Sequence, residues 1–157
     1  MNLQILTTGA EETRLVGAKL GKLLAQRSRA LVLLSGPLGA GKTTLVQGLA
    51  KALGVSDPVT SPTFVTCLEY QGEVTLHHID AWRVAEDAHF ATEVLAIFEQ
   101  PGICVVEWPE QMAAWLPDEY LNISLAYDFS QSETWRRLVL RGEGGDYVNI
   151  VEEMAKE

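Results

Sequence analysis

Eight consecutive residues, Gly36-Pro37-Leu38-Gly39-Ala40-Gly41-Lys42-Thr43, restrict what this chain can fold into more than any other stretch. They satisfy G-x-x-x-x-G-K-[ST], a pattern with physical meaning only when a strand precedes it and a helix follows. Both are legible. Ala30 to Ser35 is an apolar run without alternation, which suits a strand covered on both faces. From Lys42 onward Leu45, Val46, Leu49, Ala50 and Leu53 recur at helical spacing up to Gly54, a residue able to take the left-handed conformation that ends a helix. Residue frequencies alone generate the pattern in about 0.5% of random chains of this length. The flanking strand and helix lower that further, so a phosphate-binding loop is preferred over a plain glycine-rich turn with Lys42 on a solvated helix start.

Each fixed position answers a need. The glycines let the backbone curl until successive N–H groups face inward at phosphate oxygens, and the positive end of the following helix adds to the attraction. Lys42 supplies a mobile charge for the β- and γ-phosphates, and the Thr43 hydroxyl is a ligand for Mg²⁺.

The rest of the chain reads as alternating helices and strands. Thr8-Gly9-Ala10-Glu11 has the spacing of a capping box, and the apolar positions after it predict a helix from about Ala10 to Gln26. Phe64 to Tyr70 and Val74 to Ile79 flank Gln71-Gly72-Glu73 as a hairpin, with the second arm alternating as a half-exposed strand does. Glu86 to Phe98 reads as a helix, Ile103 to Val106 as a buried strand, and Glu110 to Trp115 as a short helical piece. Leu121 to Tyr127 and Trp135 to Leu140 read as antiparallel edge strands, and Tyr147 to Lys156 as a terminal helix. The expected fold is α/β: a three-layer phosphate-loop NTPase with a mixed, partly antiparallel central sheet flanked by helices. One domain over residues 1–157 is expected, since about 100 to 200 residues make a domain.

A magnesium-dependent phosphoryl site needs an acid near the metal or the attacking water. Asp80 and Glu107 stand at predicted strand ends, and both are taken as candidates; the alternative for either is a carboxylate capping a turn or facing water. Thr63, in Ser61-Pro62-Thr63-Phe64, lies between the loop helix and the hairpin, where a mobile segment brings a hydroxyl to the γ-phosphate. His77 and His78 are adjacent on a strand, point to opposite faces and do not share one metal ion. Trp108 follows Glu107, which puts it near the phosphates, although packing is the default for all four tryptophans.

Charge narrows the partners. With 12 basic and 21 acidic residues the chain carries a net charge of −9, and Val84 to Trp135 holds ten acids and no Lys or Arg. Unaided binding to a nucleic-acid backbone would work against this field. Cys67 and Cys104 form no CxxC pair, and no stretch of 18 apolar residues or basic-then-apolar start occurs, so an unexported, cytoplasmic protein without a membrane segment is expected.

Four elements in order carry a likeness. The loop with Thr44-Leu45-Val46-Gln47-Gly48-Leu49, then Ser61-Pro62-Thr63-Phe64, then His78-Ile79-Asp80-Ala81-Trp82-Arg83, then Gly102 to Glu110 with Glu107-Trp108-Pro109-Glu110, resemble the TsaE (YjeE) family from about Thr7 to Leu140. Pro37 stands where many members carry Asp and removes one N–H from the loop, and Ala81-Trp82 replaces a usual Leu-Tyr.

The resemblance implies an ATPase that works with TsaB and TsaD, on an intermediate supplied by TsaC, to install threonylcarbamoyl on the adenosine beside the anticodon of tRNAs reading ANN codons. It implies that Gly36, Pro37, Leu38, Gly39, Ala40, Gly41, Lys42, Thr43 and Thr44, with Thr63, hold ATP. Thr43, Asp80 and Glu107 would serve Mg²⁺, and Lys42, Asp80 and Glu107 catalysis. Partners would hold the tRNA. No transition-state arginine is obvious near the loop; Arg83 is the nearest basic candidate, so slow hydrolysis alone and faster hydrolysis in the complex are expected. Two alternatives stay open: a nucleotide-gated assembly protein without essential hydrolysis, and a small-molecule kinase, which Val84 to Trp135 disfavours by offering no cations for a lid. No N-K-x-D element for guanine is present.

Overall fold

Runs of apolar residues without alternation demand cover on both faces, and the architecture supplies it. In a computed structural model, which describes residues 1–62, 67–84 and 87–157, the elements are β1 (Asn2–Thr7), α1 (Ala10–Leu24), β2 (Arg29–Ser35), α2 (Lys42–Ala52), β3 (Cys67–Tyr70), β4 (Leu76–Asp80), α3 (Ala88–Phe98), β5 (Gly102–Glu107), a 3-10 segment (Pro109–Trp115), β6 (Tyr120–Tyr127), β7 (Arg136–Glu143) and α4 (Gly145–Met154). The strands form one sheet in the order β1-β7-β6-β2-β5-β4-β3. Its centre, β6-β2-β5-β4, is parallel; β7 and β3 run antiparallel to their neighbours β6 and β4, and β1 runs antiparallel to β7.

Successive residues of β2 and β5 serve opposite layers, as the period of two in a strand requires. Val32, Leu34, Ile103 and Val105 pack with Leu20 and Leu24 of α1, Leu45 and Leu49 of α2, and Ile150 and Val151 of α4. Leu31, Leu33, Cys104 and Val106 pack on the other side with Ala91 and Val94 of α3 and Met112 of the 3-10 segment. The α/β three-layer expectation therefore holds.

Helices α1 and α2 meet backbone to backbone. A Cβ on Gly48 would lie 1.9 Å from the Arg14 carbonyl oxygen, and one on Gly17 would lie 2.1 Å from that of Leu45. Side-chain-free positions on both helices let α2 sit close against α1, which fixes the helix that starts at the loop.

Three sequence expectations need correction. The segments read as edge strands are interior: β6 lies between β2 and β7, and β7 between β6 and β1. The edge on that side is β1, a short strand whose alternating Leu3 and Ile5 give little signal in the sequence. The strand read as half-exposed, β4, is buried at every position because β3 and β5 flank it and layers cover both faces. At the start of α1 the N-cap is Gly9 without a side-chain cap bond, and Glu12, not Glu11, accepts from the Thr8 N–H at 2.8 Å. The hairpin is formed by β3 and β4; Phe64 to Thr66 of its expected first arm lie outside the described residues.

Candidate functional site

Strand β2 ends at Ser35 and the loop carries the chain into α2, whose N-cap, Gly41, has φ +105° and ψ 17°. That left-handed geometry is costly for any side chain but glycine. No side chain caps this helix start and its first turn holds no acid, so its amides and the positive end of its dipole are left to an anion. Inside the loop the Ala40 N–H donates to the Pro37 carbonyl at 3.1 Å, and Ala40 is fully buried.

Lys42 opens α2 and is itself buried. Its Nζ donates to the Gly36 carbonyl at 2.6 Å, lies 4.0 Å from Glu107 Oε1 and stands 4.5 Å from the centre of the Trp108 ring. An ammonium has three donors, so this anchorage leaves N–H groups for phosphate oxygens.

The two acids come from neighbouring parallel strands. Asp80 of β4 and Glu107 of β5 are register partners at the carboxyl ends, where open α/β sheets hold ligands. Burial is the main cause that pushes the Asp80 carboxyl above its ordinary range. The Trp82 N–H bond at 2.9 Å opposes that shift, the Glu107 charge reinforces it, and Lys42 and Arg83 offset part of it. Two buried carboxylates side by side suit a divalent cation.

A cleft of about 530 Å³ joins these parts, lined by Leu38, Gly39, Gly41, Lys42, Thr43, Thr44, Ser61, Asp80, Trp82, Arg83, Glu107 and Trp108. Of the expected site residues it thus gathers Leu38, Gly39, Gly41, Lys42, Thr43, Thr44, Asp80 and Glu107, while Gly36, Pro37 and Ala40 do not line it. Thr63 lies outside the described residues. Among the described residues no group of three or more His, Cys, Asp or Glu forms a metal cage. Two carboxylates and the Thr43 hydroxyl instead fit Mg²⁺, which keeps waters and takes substrate phosphates as ligands. A second cavity of about 610 Å³, lined by Leu31, Cys104, Trp115 and Tyr147, lies at the opposite strand ends. Arginines on its rim are paired, Arg27 with Asp146 at 3.2 Å and Arg29 with Glu99 at 3.0 Å, and it lacks the loop.

Several contacts escaped the sequence. His78, fully buried, places Nε2 2.9 Å from Glu107 Oε2, while His77 on the other face lies near Glu69 and the Pro101 carbonyl. The opposed-face expectation for the pair therefore holds. Trp108 adopts φ 57° and ψ 48°, a conformation bulky residues avoid, and its ring meets Trp82 edge-on at 4.9 Å. From the end of β6, the Tyr127 hydroxyl donates to the Leu38 carbonyl at 2.8 Å. Arg136, 4.4 Å over the Tyr127 ring, donates to the Gly39 carbonyl at 3.4 Å. The only advance signal was the aromatic and basic character of the residues near 127 and 136.

Comparison with known proteins agrees with this geometry. Residues 7–137 match the family model described as "Threonylcarbamoyl adenosine biosynthesis protein TsaE". Proteins named "tRNA threonylcarbamoyladenosine biosynthesis protein TsaE" are similar to this chain. The one from Treponema pallidum is 38% identical over 78% of this chain and 90% of its own length. That from Bacillus subtilis is 34% identical over 96% and 92%. The crystal structure of Bacillus subtilis YdiB superposes with a TM-score of 0.80 at 30% identity, covering 99% of this chain and 95% of that one.

Proposed function

The chain belongs to the TsaE family, and on that premise we propose that it is the Mg²⁺-dependent ATPase subunit of the machinery that makes threonylcarbamoyladenosine in tRNA, acting with TsaB and TsaD. The observation that carries this reading is Lys42 Nζ at the mouth of an uncapped helix, 4.0 Å from Glu107 and beside its register partner Asp80.

In this reading the loop amides and Lys42 hold the triphosphate, with Thr44 continuing the cradle along α2. Thr43, Asp80 and Glu107 would hold Mg²⁺, which when bound neutralises charge on the β- and γ-oxygens. Glu107 Oε1, on the cleft side, would orient the water whose oxygen bonds to the γ-phosphorus as the bond to the β-phosphate oxygen breaks, the water's proton ending on the released phosphate. Thr63 is assigned to the nucleotide-sensitive segment. Arg83 is exposed at the rim, and Arg136 is spent on the outer side of the loop, which supports slow turnover until a partner completes the charge stabilisation. The same shortage of cations at the cleft disfavours a kinase. A cytoplasmic site of action is supported by two free thiols and by the lack, among the described residues, of a helix long and apolar enough to cross a membrane.

Calorimetry with Mg²⁺ and ATP tests the site: a saturable heat of binding is expected, and none would end the account. Glu107→Ala separates motor from gate. Loss of turnover and tRNA modification together supports the motor. Lost turnover with modification retained would leave only nucleotide-gated assembly.

A further inference from the structure

We infer that His78 is a positioning residue that fixes which oxygen of Glu107 faces the nucleotide; the inference rests on the ATPase reading above. An ionised carboxylate only accepts hydrogen bonds, so in the 2.9 Å contact His78 Nε2 is the donor and Glu107 Oε2 the acceptor. The other ring nitrogen, Nδ1, is buried and has no hydrogen-bond partner among the described residues. A proton there would be a buried donor without an acceptor, a worse arrangement than a bare lone pair. The ring is therefore held as the Nε2–H tautomer, pointed at Glu107 from a fully buried position on β4.

The sheet makes this pairing possible. His78 and Asp80 lie two apart on β4 and so share a face, and Glu107 is the register partner of Asp80 on β5. His78 sits one step deeper than the cleft, takes no part in its lining and has no exposed surface. Its bond occupies Oε2 and leaves Oε1 as the oxygen toward Lys42 and the cleft. Glu107 thereby presents one oxygen in one orientation, and no side-chain reorganisation is needed as the γ-phosphoryl group transfers. Partners of this outer kind commonly change activity 10- to 100-fold when removed.

The test uses the full chain with Mg²⁺ and ATP, reading turnover, ATP affinity by calorimetry and the melting midpoint for each variant. His78→Leu should lower kcat by about 10- to 100-fold while ATP affinity stays within about threefold. His78→Gln, which carries an N–H to nearly the same point as Nε2, should recover most of the rate. In a Glu107→Gln background the His78→Leu change should cost little more, because the effect runs through Glu107. A wild-type rate for His78→Leu, or the same loss in both backgrounds, overturns the inference; the latter result would mark general structural damage. Should His78→Leu fail to fold, long-range ¹H–¹⁵N spectra of the wild-type imidazole decide. Protonated Nε2 is expected, and a protonated Nδ1 with bare Nε2 refutes it. Failure of the wild-type protein to bind or turn over ATP would be distinct, since it removes the ATPase reading itself.

Discussion

Lys42 shows how much one buried charge organises. Its ammonium touches the Gly36 carbonyl, approaches Glu107 and lies over Trp108, so one group links loop, strand end and aromatic wall. Charge-assisted hydrogen bonds are worth about 1.5–3 kcal/mol each. Lys42→Ala should weaken ATP binding about 10- to 100-fold by calorimetry, and unchanged affinity would remove the residue from the site. Trp108 tells a related story, because its left-handed backbone costs about 1–2 kcal/mol. It persists because Trp82 and Lys42 hold its ring. At this scale the loop residues were legible, since each answers a local chemical need. His78 and Arg136 were not, because their partners Glu107 and Gly39 are 29 and 97 residues away.

Helix α2 owes its place to a missing side chain. With Gly48 against the Arg14 carbonyl, a Gly48→Val change forces α1 and α2 apart, and we expect a loss of about 3 kcal/mol in urea denaturation. A small loss there would mean that the two helices separate cheaply. The turn after β6 depends on charge instead. Asp128 accepts from Ser130 N–H and hydroxyl and pairs with Arg137 at 2.9 Å, and these contacts, the Ser130 bonds first, hold its carboxyl below the usual range. A depressed folded pKa means that the stabilisation is fully present above the unfolded value of about 3.9 and is lost as pH falls through the folded value. Asp128→Asn should therefore lower the melting midpoint near neutral pH, with the gap to wild type closing in acid as the wild-type carboxyl is protonated. An equal gap at both pH values would show that the ion pair and Ser130 bonds do not hold this turn. Elements with strong periodicity, α1, α2 and β2, were legible within a few residues. The short strand β1 was missed because six residues of weak alternation resemble a tail until β7 offers its edge.

Across the whole molecule, charge and exposure bear on the proposed protein partners. A net charge of −9 opposes direct hold on RNA, while Leu38 at 89% and Trp82 at 53% exposure leave apolar surface at the mouth of the nucleotide cleft. Gel-shift titration at physiological salt should find no retention of tRNA by this chain alone. Adding TsaB and TsaD should raise ATP turnover at least about tenfold, in line with the gain from charge supplied in trans. Equal turnover with and without them would break the proposed coupling.

By itself the sequence determined that a glycine-rich G-x-x-x-x-G-K-T loop sits between a buried strand and a helix, because glycine spacing, apolar runs and helical periodicity are local properties that short segments carry with them. It also named Asp80 and Glu107 as acids at strand ends, and it set the sign of the molecule's field. Only the tertiary structure decided that β4 and β5 lie side by side with those acids in register, and that β1 rather than β6 or β7 closes the sheet. It also brought His78 beneath Glu107 and set the end of β6 and the start of β7 against the loop. Strand order and cross-strand register are set by how buried faces from distant segments pack together, and no window of sequence contains both sides of such a contact.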